Sequence, residues 1–160
     1  MKITAHEEYG LRILLRIANC KDSEGLSIAQ LSETEGLSFA YVAKMTRLLR
    51  LGDFIKSTPG NRGGYLLARS ADSIAMKEVI KNLGGDLFDN EFCNSHNGGD
   101  VPRLCTNSAD CSARTLWTML QLVMDEFLER ITLKDLIRPE HESAVILKKI
   151  LENYKVEVNG

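Results

Sequence analysis

The fold is decided by residues 27–68, which read SIAQLSETEGLSFAYVAKMTRLLRLGDFIKSTPGNRGGYLLA. A capping box at Ser27–Gln30 predicts the start of a short helix, and Ser38 predicts the N-cap of a second helix that ends at Gly52. Two short apolar runs then flank a glycine-rich tip, Pro59–Gly64, which is the pattern of a β-hairpin. Helix, turn, helix and hairpin in this order predict a winged helix-turn-helix, a fold whose second helix enters the major groove of DNA.

Positive charge concentrates in the same part of the chain. Residues 1–70 carry ten Lys/Arg against seven Asp/Glu, whereas residues 71–160 carry ten against fifteen, and the whole chain has a net charge of −2. Within residues 38–70 Asp53 is the single acid, beside six cations: Lys44, Arg47, Arg50, Lys56, Arg62 and Arg69. A solvated surface would also carry such charges, but their concentration on the second helix and the hairpin favours contacts with phosphates.

Amphipathic patterns outside this stretch predict the rest of the fold. A capping box at Thr4–Glu7 predicts a first helix that runs to Asn19. Its predicted buried face consists of Leu11, Leu14, Leu15 and Ala18. A fourth helix is predicted at Ala75–Asn82, and a final amphipathic helix at Glu142–Tyr154 with a frayed end after it. The predicted fold class is therefore mainly α with a small β-hairpin wing.

A long apolar helix is predicted at residues 112–130. Its stripe consists of Leu116, Leu120, Val123, Phe127 and Ile131, widened by Trp117, Met124 and Leu128. Because so wide a stripe must be buried on more than one side, a second copy of the chain is the expected cover, and we predict a homodimer. The chain then divides into a winged helix-turn-helix domain at 1–83, a cysteine-bearing loop at 84–111, and a dimerisation helix with a C-terminal helix at 112–160.

Length and composition limit the class of protein. The chain has 160 residues, of which 44% are hydrophobic and 26% charged, and these values exclude disordered and low-complexity chains. No uncharged apolar run approaches the roughly 20 residues that cross a bilayer. Residues 1–10 lack the apolar region of a secretory signal. We therefore expect a cytoplasmic protein with no membrane partner.

Three of the four cysteines lie close together in the predicted loop. In a reducing compartment, Cys93, Cys105 and Cys111 indicate a local metal or redox site rather than a disulfide scaffold. Structural zinc normally uses pairs with short spacing, and this loop has no Cys-x-x-Cys pair. Unligated thiols stay an alternative, as does a cysteine-dependent enzyme with Cys93 or Cys105 as nucleophile and His96 as base. Because no oxyanion element accompanies that pair, we expect a protein that is not an enzyme.

Several short motifs together resemble one family of regulators. They are Met1–Thr4, Tyr9–Arg12, Gly63–Leu67, the three cysteines ahead of Leu116-Trp117, and Thr132–Leu136. In this order, over residues 1–138, the chain resembles the winged-helix regulators that include the iron–sulfur cluster assembly regulator (IscR) and the nitric-oxide-sensing repressor (NsrR). The resemblance implies a homodimer that binds double-stranded operator DNA. It also implies an iron–sulfur cluster that senses nitric oxide, another small redox-active effector, redox state or cluster supply. A metal-free regulator that senses thiol oxidation is the alternative.

The resemblance also implies which residues hold the cluster. The thiolates would be those of Cys93, Cys105 and Cys111. Thiolates suit iron, and either a 2Fe-2S or a 4Fe-4S cluster is compatible with three of them. The assembly regulator has a histidine as fourth ligand three residues after the last cysteine, where this chain has Arg114. The nitric-oxide sensor uses a carboxylate from the other subunit, and Glu8 occupies that position. His96 in the loop is a competing candidate.

For DNA, the resemblance points to the second helix of the motif and to the wing. The candidate contacts are Ser38, Tyr41, Lys44, Arg47, Arg62, Gly63 and Gly64. Lysine and arginine would bind phosphates and give salt-dependent affinity, whereas Tyr41 and other groups that reach base edges would supply sequence choice. A family position that can read bases with glutamate holds Ala43 here. The operator sequence therefore does not follow from the resemblance.

Overall fold

The computed structural model describes residues 3–59, 63–86, 88 and 110–159. The helices are α1 (Ala5–Ala18), α2 (Ile28–Glu35), α3 (Phe39–Leu51), α4 (Met76–Gly84), α5 (Ser112–Glu129), α6 (Leu133–Leu136) and α7 (Glu140–Asn159). The strands are β1 (Ile55–Ser57) and β2 (Tyr65–Leu67), and a short 3-10 helix covers Ala71–Ser73. This order confirms the predicted fold class, mainly α with a small hairpin wing.

The helix boundaries of the helix-turn-helix lie where the capping signals predict them. The Ser27 N–H donates to Gln30 Oε1 (2.9 Å), and the Gln30 N–H donates to Ser27 Oγ (3.3 Å), so the capping box of α2 is complete. α2 ends at Gly36, whose φ of +65° is favourable for glycine. Ser38 Oγ then accepts from the Tyr41 N–H (3.3 Å) and caps α3.

The hairpin packs against the chain that precedes α2. β1 and β2 pair antiparallel, with Ile55 opposite Leu67. The Leu26 N–H donates to the Tyr65 carbonyl (3.1 Å), and the Tyr65 N–H donates to the Leu26 carbonyl (2.9 Å). A Cβ atom at Gly64 would lie 2.7 Å from the Leu26 backbone, so the close approach requires glycine there. The wing is therefore fixed to the start of the helix-turn-helix.

The core lies between α1, α3, α4 and the hairpin. The α1 side chains at its centre are Ile13, Leu14 and Ile17. The predicted α1 face is therefore partly wrong: three of its four members are half-buried at the margin, namely Leu11, Leu15 and Ala18. Because α1 contacts α3, α4 and β2, its buried arc is wide and its centre is shifted from the predicted stripe. Further fully buried side chains are Leu31, Val42, Met45, Leu49, Phe54, Ile55, Ile74, Val79 and Leu133.

Backbone hydrogen bonds fix the end of α5 to the winged-helix core. The Met76 N–H donates to the Ile131 carbonyl (2.8 Å), and the Leu133 N–H donates to the Ile74 carbonyl (2.9 Å). These bonds join the segment between α5 and α6 to the start of α4. The side chains of Ile131 and Leu133 are buried in the same core. The second half of the chain is thus attached to the first through this segment.

The final helix is longer than the sequence predicts. α7 covers Glu140–Asn159 and continues past Tyr154, where fraying was expected. The Tyr154 ring packs against Phe127 of α5 (centroids 5.9 Å apart), and the Arg130 guanidinium lies 5.1 Å from its centroid. Arg130 also pairs with Glu157 (2.6 Å), so contacts with the end of α5 support the extra turn. Neither α7 nor any other described helix is long and apolar enough to span a membrane.

Candidate nucleic-acid interface and metal ligands

The outward side of α3 carries the two cations that the sequence assigns to DNA contact. Lys44 and Arg47 are exposed, because Val42, Met45 and Leu49 occupy the opposite side of the helix and are fully buried. Residues three apart on a helix share a face. The second helix of the helix-turn-helix therefore presents positive charge to the outside.

A contact between α1 and α3 positions one of these cations. Lys44 Nζ lies 3.1 Å from His6 Nε2, and the His6 ring stacks on Tyr41 with centroids 6.0 Å apart. Tyr9 meets the Tyr41 ring edge-on at 6.0 Å. The Tyr41 hydroxyl is buried and has no hydrogen-bond partner among the described residues. Burial, with a smaller effect from Tyr9, raises the pKa of Tyr41. This cluster was missed in the sequence because its members are far apart along the chain.

The other predicted DNA contacts lie at the start of α3 and in the wing. The Ser38 hydroxyl is engaged as the cap of α3. The Gly64 N–H donates to Thr58 Oγ1 (2.7 Å), which fixes the base of the wing, and Gly63 is half-buried beside it. Arg62 lies outside the described residues. The structure therefore brings the start of α3 and the base of the wing to the same side of the molecule.

An open groove separates the start of α3 from the wing. Its volume is about 310 Å³, and its lining includes Ile28, Phe39, Ser57, Thr58 and Gly63. Phe39 is 60% exposed, so a large aromatic side chain is open to solvent at the start of α3. The sequence did not predict Phe39 as a site residue. Its signal would have been the position of an aromatic side chain directly after the N-cap of α3 and outside the buried stripe of that helix.

One of the six predicted cations is engaged elsewhere. Arg69 pairs with Glu78 of α4 and donates to the Ser73 carbonyl (2.8 Å). Its guanidinium lies 5.4 Å from the centroid of the Phe54 ring. The predicted group of six DNA-facing cations therefore extends too far towards its C-terminal end, at Arg69. The exposed cations that stay on the second helix and the hairpin, called the basic face below, are Lys44, Arg47, Arg50 and Lys56.

A buried carboxylate joins α1 to α2. The side chain of Glu35 is 2% exposed and pairs with Arg12 and Arg16. Arg12 Nε lies 2.9 Å from one carboxylate oxygen, and Arg16 Nε lies 2.8 Å from the other. These charge-assisted hydrogen bonds satisfy both oxygens. The sequence signal was two arginines four residues apart on α1, whose shared partner on α2 was not predicted.

Cys111 is the described member of the predicted cysteine site. It is the N-cap of α5, and its Sγ accepts from the Arg114 N–H (3.4 Å). A helix N-terminus favours a thiolate, the form of cysteine that binds iron. Cys93, Cys105 and the competing candidate His96 lie outside the described residues. Within residues 3–59, 63–86, 88 and 110–159, no group of three or more His, Cys, Asp or Glu side chains could hold a metal ion.

Glu8 lies in a groove at the other end of α5 from Cys111. The groove has a volume of about 210 Å³ and includes Leu11, Met124 and Leu128. Glu8 is exposed, and no hydrogen bond or ion pair reaches its carboxylate from the described residues. At about 1.5 Å per residue, Cys111 and Met124 are about 20 Å apart along the axis of α5. The structure therefore does not bring Glu8 and Cys111 of one subunit together.

The first half of α5 exposes large apolar side chains. We call them the α5 apolar surface: Leu116, Trp117, Met119, Leu120, Leu122 and Val123. Their exposed fractions lie between 41% for Leu120 and 55% for Leu116. A contiguous apolar surface of this kind marks a site of protein association in soluble proteins. It includes four of the eight residues of the predicted stripe. The other four are covered by the same chain, so the predicted intersubunit surface is too long at its C-terminal end: Met124, Phe127 and Leu128 are half-buried and Ile131 is buried.

A helix-turn-helix with a basic second helix and a hairpin wing defines the class of winged-helix transcriptional regulators. Residues 3–139 match the model of the Rrf2 family, which is described as an iron-dependent transcriptional regulator. The chain belongs to the Rrf2 family. The family resemblance predicted from the sequence motifs is therefore confirmed.

Relatives of known name agree with this family. Protein rrf2 of Nitratidesulfovibrio vulgaris is 34% identical over 138 residues, which are 86% of this chain and 88% of that protein. The HTH-type transcriptional regulator IscR of Klebsiella pneumoniae is 30% identical over 137 residues, which are 86% of this chain and 80% of that protein. The structure of CymR, the global cysteine regulator of B. subtilis, is similar with a TM-score of 0.60 and 28% identity, over 86% of this chain and 96% of that one. IscR and CymR are regulators by name, which supports a protein that is not an enzyme.

Proposed function

We propose that the protein is a homodimeric transcriptional regulator whose iron–sulfur cluster controls its binding to operator DNA. The observation that carries the proposal is the basic face on the second helix of a helix-turn-helix. Lys44 and Arg47 would bind phosphates on either side of the major groove, and Arg62, which the sequence has between β1 and β2, would bind a further phosphate. Gly63 would let the wing approach the DNA backbone closely, whereas Gly64 is buried against Leu26 and would act by fixing the position of the wing.

In this proposal Ser38 and Tyr41 shape the reading helix. The Ser38 hydroxyl sets the start of α3, and the Tyr41 ring supports His6, which contacts Lys44. The Tyr41 hydroxyl is buried, so Tyr41 would act on DNA through the position of α3. The exposed Ser38 hydroxyl accepts the Tyr41 N–H and would still have a proton to donate to DNA.

The homodimer would form through the α5 apolar surface. A second copy packed on it would bury six large side chains that one subunit leaves exposed. Burial contributes about 25 cal/mol per Å² of apolar area, and a twofold axis applies that gain to the same surface of both subunits. The proposal includes the division into a DNA-binding domain at 1–83, a cluster loop at 84–111 and a dimerisation region at 112–160.

Cys93, Cys105 and Cys111 would hold the cluster, with Glu8 of the partner subunit as the fourth ligand. The helix N-terminus at Cys111 favours the thiolate that iron requires. The separation of Glu8 from Cys111 within one subunit supports donation across the dimer. When bound, a 2Fe-2S or 4Fe-4S cluster would supply a centre that reacts to nitric oxide, redox state or cluster supply.

The signal would pass from α1 to α3. Glu8 and His6 lie on the same first turns of α1, and His6 contacts both Lys44 and Tyr41 of α3. Loss of the Glu8 ligand would allow α1 to shift, and this shift would change the position of the basic face. Such a mechanism is a two-state equilibrium that cluster binding biases.

A metal-free thiol sensor is the second candidate. The similarity to CymR, named as a cysteine regulator, favours it. In this version the thiols of Cys93, Cys105 and Cys111 would respond to oxidation directly. DNA binding by α3 and the wing would be the same, so the metal content separates the two candidates.

The first experiment measures iron and acid-labile sulfide per subunit in protein purified without oxygen, with an absorption spectrum of the same sample. Near-equal iron and sulfide with visible charge-transfer bands support the cluster. Colourless protein without iron after anaerobic reconstitution supports the thiol sensor instead. Cys111→Ser is the sharpest variant, because serine retains the N-cap of α5 and removes the thiolate. Glu8→Ala should alter the spectrum, and Glu33→Ala, an exposed change on α2, should not.

DNA binding is tested separately by fluorescence anisotropy at several salt concentrations. Lys44→Ala and Arg62→Ala should each weaken binding and reduce the slope of log K against log salt by about 2, because the homodimer loses two phosphate contacts at about 0.9 each. Lys21→Ala removes an exposed cation outside the basic face and should leave the slope unchanged. Unchanged affinity in both test variants would remove the winged-helix surface as the DNA site.

A further inference from the structure

The first turn of α3 presents apolar side chains to the outside. Phe39 is 60% exposed, Ala40 is exposed and Ala43 is half-buried. In a helix-turn-helix, the N-terminal residues of the second helix contact base edges. The part of α3 that would meet the bases is therefore apolar, and its cations begin one turn later at Lys44.

The polar side chains at the start of α3 are small, buried or placed to bind phosphates. The Ser38 hydroxyl accepts the Tyr41 N–H (3.3 Å), and the Tyr41 hydroxyl is itself buried. Lys44 follows one turn later, where it is exposed and would bind a phosphate. In the part of the chain that the structure describes, Phe39 is thus the large side chain of the first turn that stays available to a base.

The groove beside Phe39 is suited to duplex DNA. It lies between the start of α3 and the wing, and the hydroxyl side chains of Ser57 and Thr58 form part of its lining. Lys44 and Arg47 on α3 and Lys56 on β1 are exposed cations on the same elements. Exposed cations on the elements that flank the groove are complementary to the phosphates that border the base edges of the major groove.

We propose that Phe39 is a specificity-determining residue that contacts the 5-methyl group of a thymine in the operator. Thymine is the base that presents an apolar group in the major groove, and phenylalanine is one of the side chains that contacts it. The contact would favour thymine over cytosine at one position of each half-site. This inference rests on the proposed DNA-binding function and adds to it a base that the protein selects.

The test uses deoxyuridine, which differs from thymidine by the methyl group alone. The full chain, purified without oxygen, first selects duplexes from a random-sequence library. Each thymine of the selected duplex is then replaced in turn by deoxyuridine, and dissociation constants are measured by anisotropy. At one thymine in each half-site, we expect the replacement to weaken wild-type binding about threefold to fivefold, the value of one buried methyl group.

Variants assign the effect to Phe39. Phe39→Ala should bind the thymine and deoxyuridine duplexes equally, and Phe39→Leu should retain part of the difference. Leu51→Ala is the matched control, because Leu51 is a 69% exposed apolar residue at the other end of α3, and it should retain the full difference. Thermal unfolding curves that match the wild type would show that the variants fold.

Two results would overturn the proposal. If no thymine in the selected duplex is sensitive to loss of its methyl group, the contact does not exist. If Phe39→Ala keeps the sensitivity, another residue makes the contact. Both results leave DNA binding intact, whereas failure of the wild type to select any duplex would refute the proposed function together with this inference.

Discussion

Replacing Glu35 with glutamine tests the ion pair that joins α1 to α2. The carboxylate is 2% exposed and receives Arg12 Nε at 2.9 Å and Arg16 Nε at 2.8 Å on its two oxygens. Glutamine has nearly the same shape, so the substitution removes the charge and one acceptor without leaving a cavity. The change therefore reports the electrostatic part of the contact.

The expected magnitude lies between two limits. Removing one partner of a buried ion pair costs about 3–5 kcal/mol, whereas an exposed pair contributes about 0–1 kcal/mol. The side chains of Arg12 and Arg16 are 45% and 48% exposed, so water compensates part of their loss. We expect the free energy of unfolding to fall by about 2 kcal/mol, which is the typical contribution of one hydrogen bond to a charged group. For a chain of this size, the melting temperature should fall by about 4–8 °C.

The assay is urea unfolding of metal-free protein without DNA, followed by far-UV circular dichroism, so that ligand binding does not add to stability. Glu33→Gln on the same helix is the control, because Glu33 is exposed, and its effect should stay within about 0.5 kcal/mol. Arg12→Ala should cost less in the Glu35→Gln background than in the wild type. A loss below about 0.5 kcal/mol for Glu35→Gln would refute the assignment of stability to this contact.

Three further changes test other parts of the structure. In Gly10→Ala, the new Cβ would lie 2.8 Å from Leu83 Cδ1, and overpacking costs about 1–3 kcal/mol, of which alanine recovers about 1 kcal/mol through its higher helix propensity. The free energy of unfolding in urea should therefore fall by about 1 kcal/mol. Tyr41→Phe removes a buried hydroxyl without a partner and should raise that free energy by up to about 1 kcal/mol. Folding raises the pKa of Tyr41 above 10.0, so the unfolded wild-type protein ionises first and its free energy of unfolding falls as the pH rises past 10. The urea midpoint should therefore fall less between pH 8 and pH 10.5 for Tyr41→Phe than for the wild type. Leu120→Glu places a charge in the α5 apolar surface and should give a monomer in sedimentation velocity.

Each of these predictions has a result that contradicts it. An unchanged urea midpoint for Gly10→Ala would mean that α1 and α4 separate easily. A destabilised Tyr41→Phe would mean that the hydroxyl has a partner in solution. A dimer that persists in Leu120→Glu would place the dimer contact elsewhere, and Lys21→Glu, an exposed change of the same sign outside α5, should keep the mass of the wild type.

The helix boundaries were predictable because their signals are local. A capping side chain and its backbone partner are three residues apart, as at Ser27–Gln30 and at Ser38, and the order of elements follows from them. The centre of the α1 face was not predictable in the same way. Leucine and isoleucine side chains of α1 form overlapping stripes that fit the same helical period. Which stripe is central depends on the four elements that pack around α1, namely α2, α3, α4 and β2.

The candidate site was partly predictable for a similar reason. Charge and periodicity place Lys44 and Arg47 on the outside of α3, which the structure bears out. Pairings across the chain were not available from a single sequence: Glu35 meets arginines 23 and 19 residues away, and Arg69 turns to Glu78. Cysteine spacing likewise gives no geometry by itself, so the ligand set stays a prediction.

The attachment of α5 near its C-terminal end has a mechanical consequence. The bonds between the segment after α5 and α4, together with the ion pair of Lys77 with Glu129 (3.3 Å), hold that end. Cys111 stands at the opposite end of 18 residues, about 27 Å away at 1.5 Å per residue. Because α5 is held at its C-terminal end, a tilt of about 5° about that end moves the Cys111 thiol by about 2 Å over the length of the helix. A displacement of about 2 Å at Cys111 therefore corresponds to a tilt of about 5° of α5 against α4.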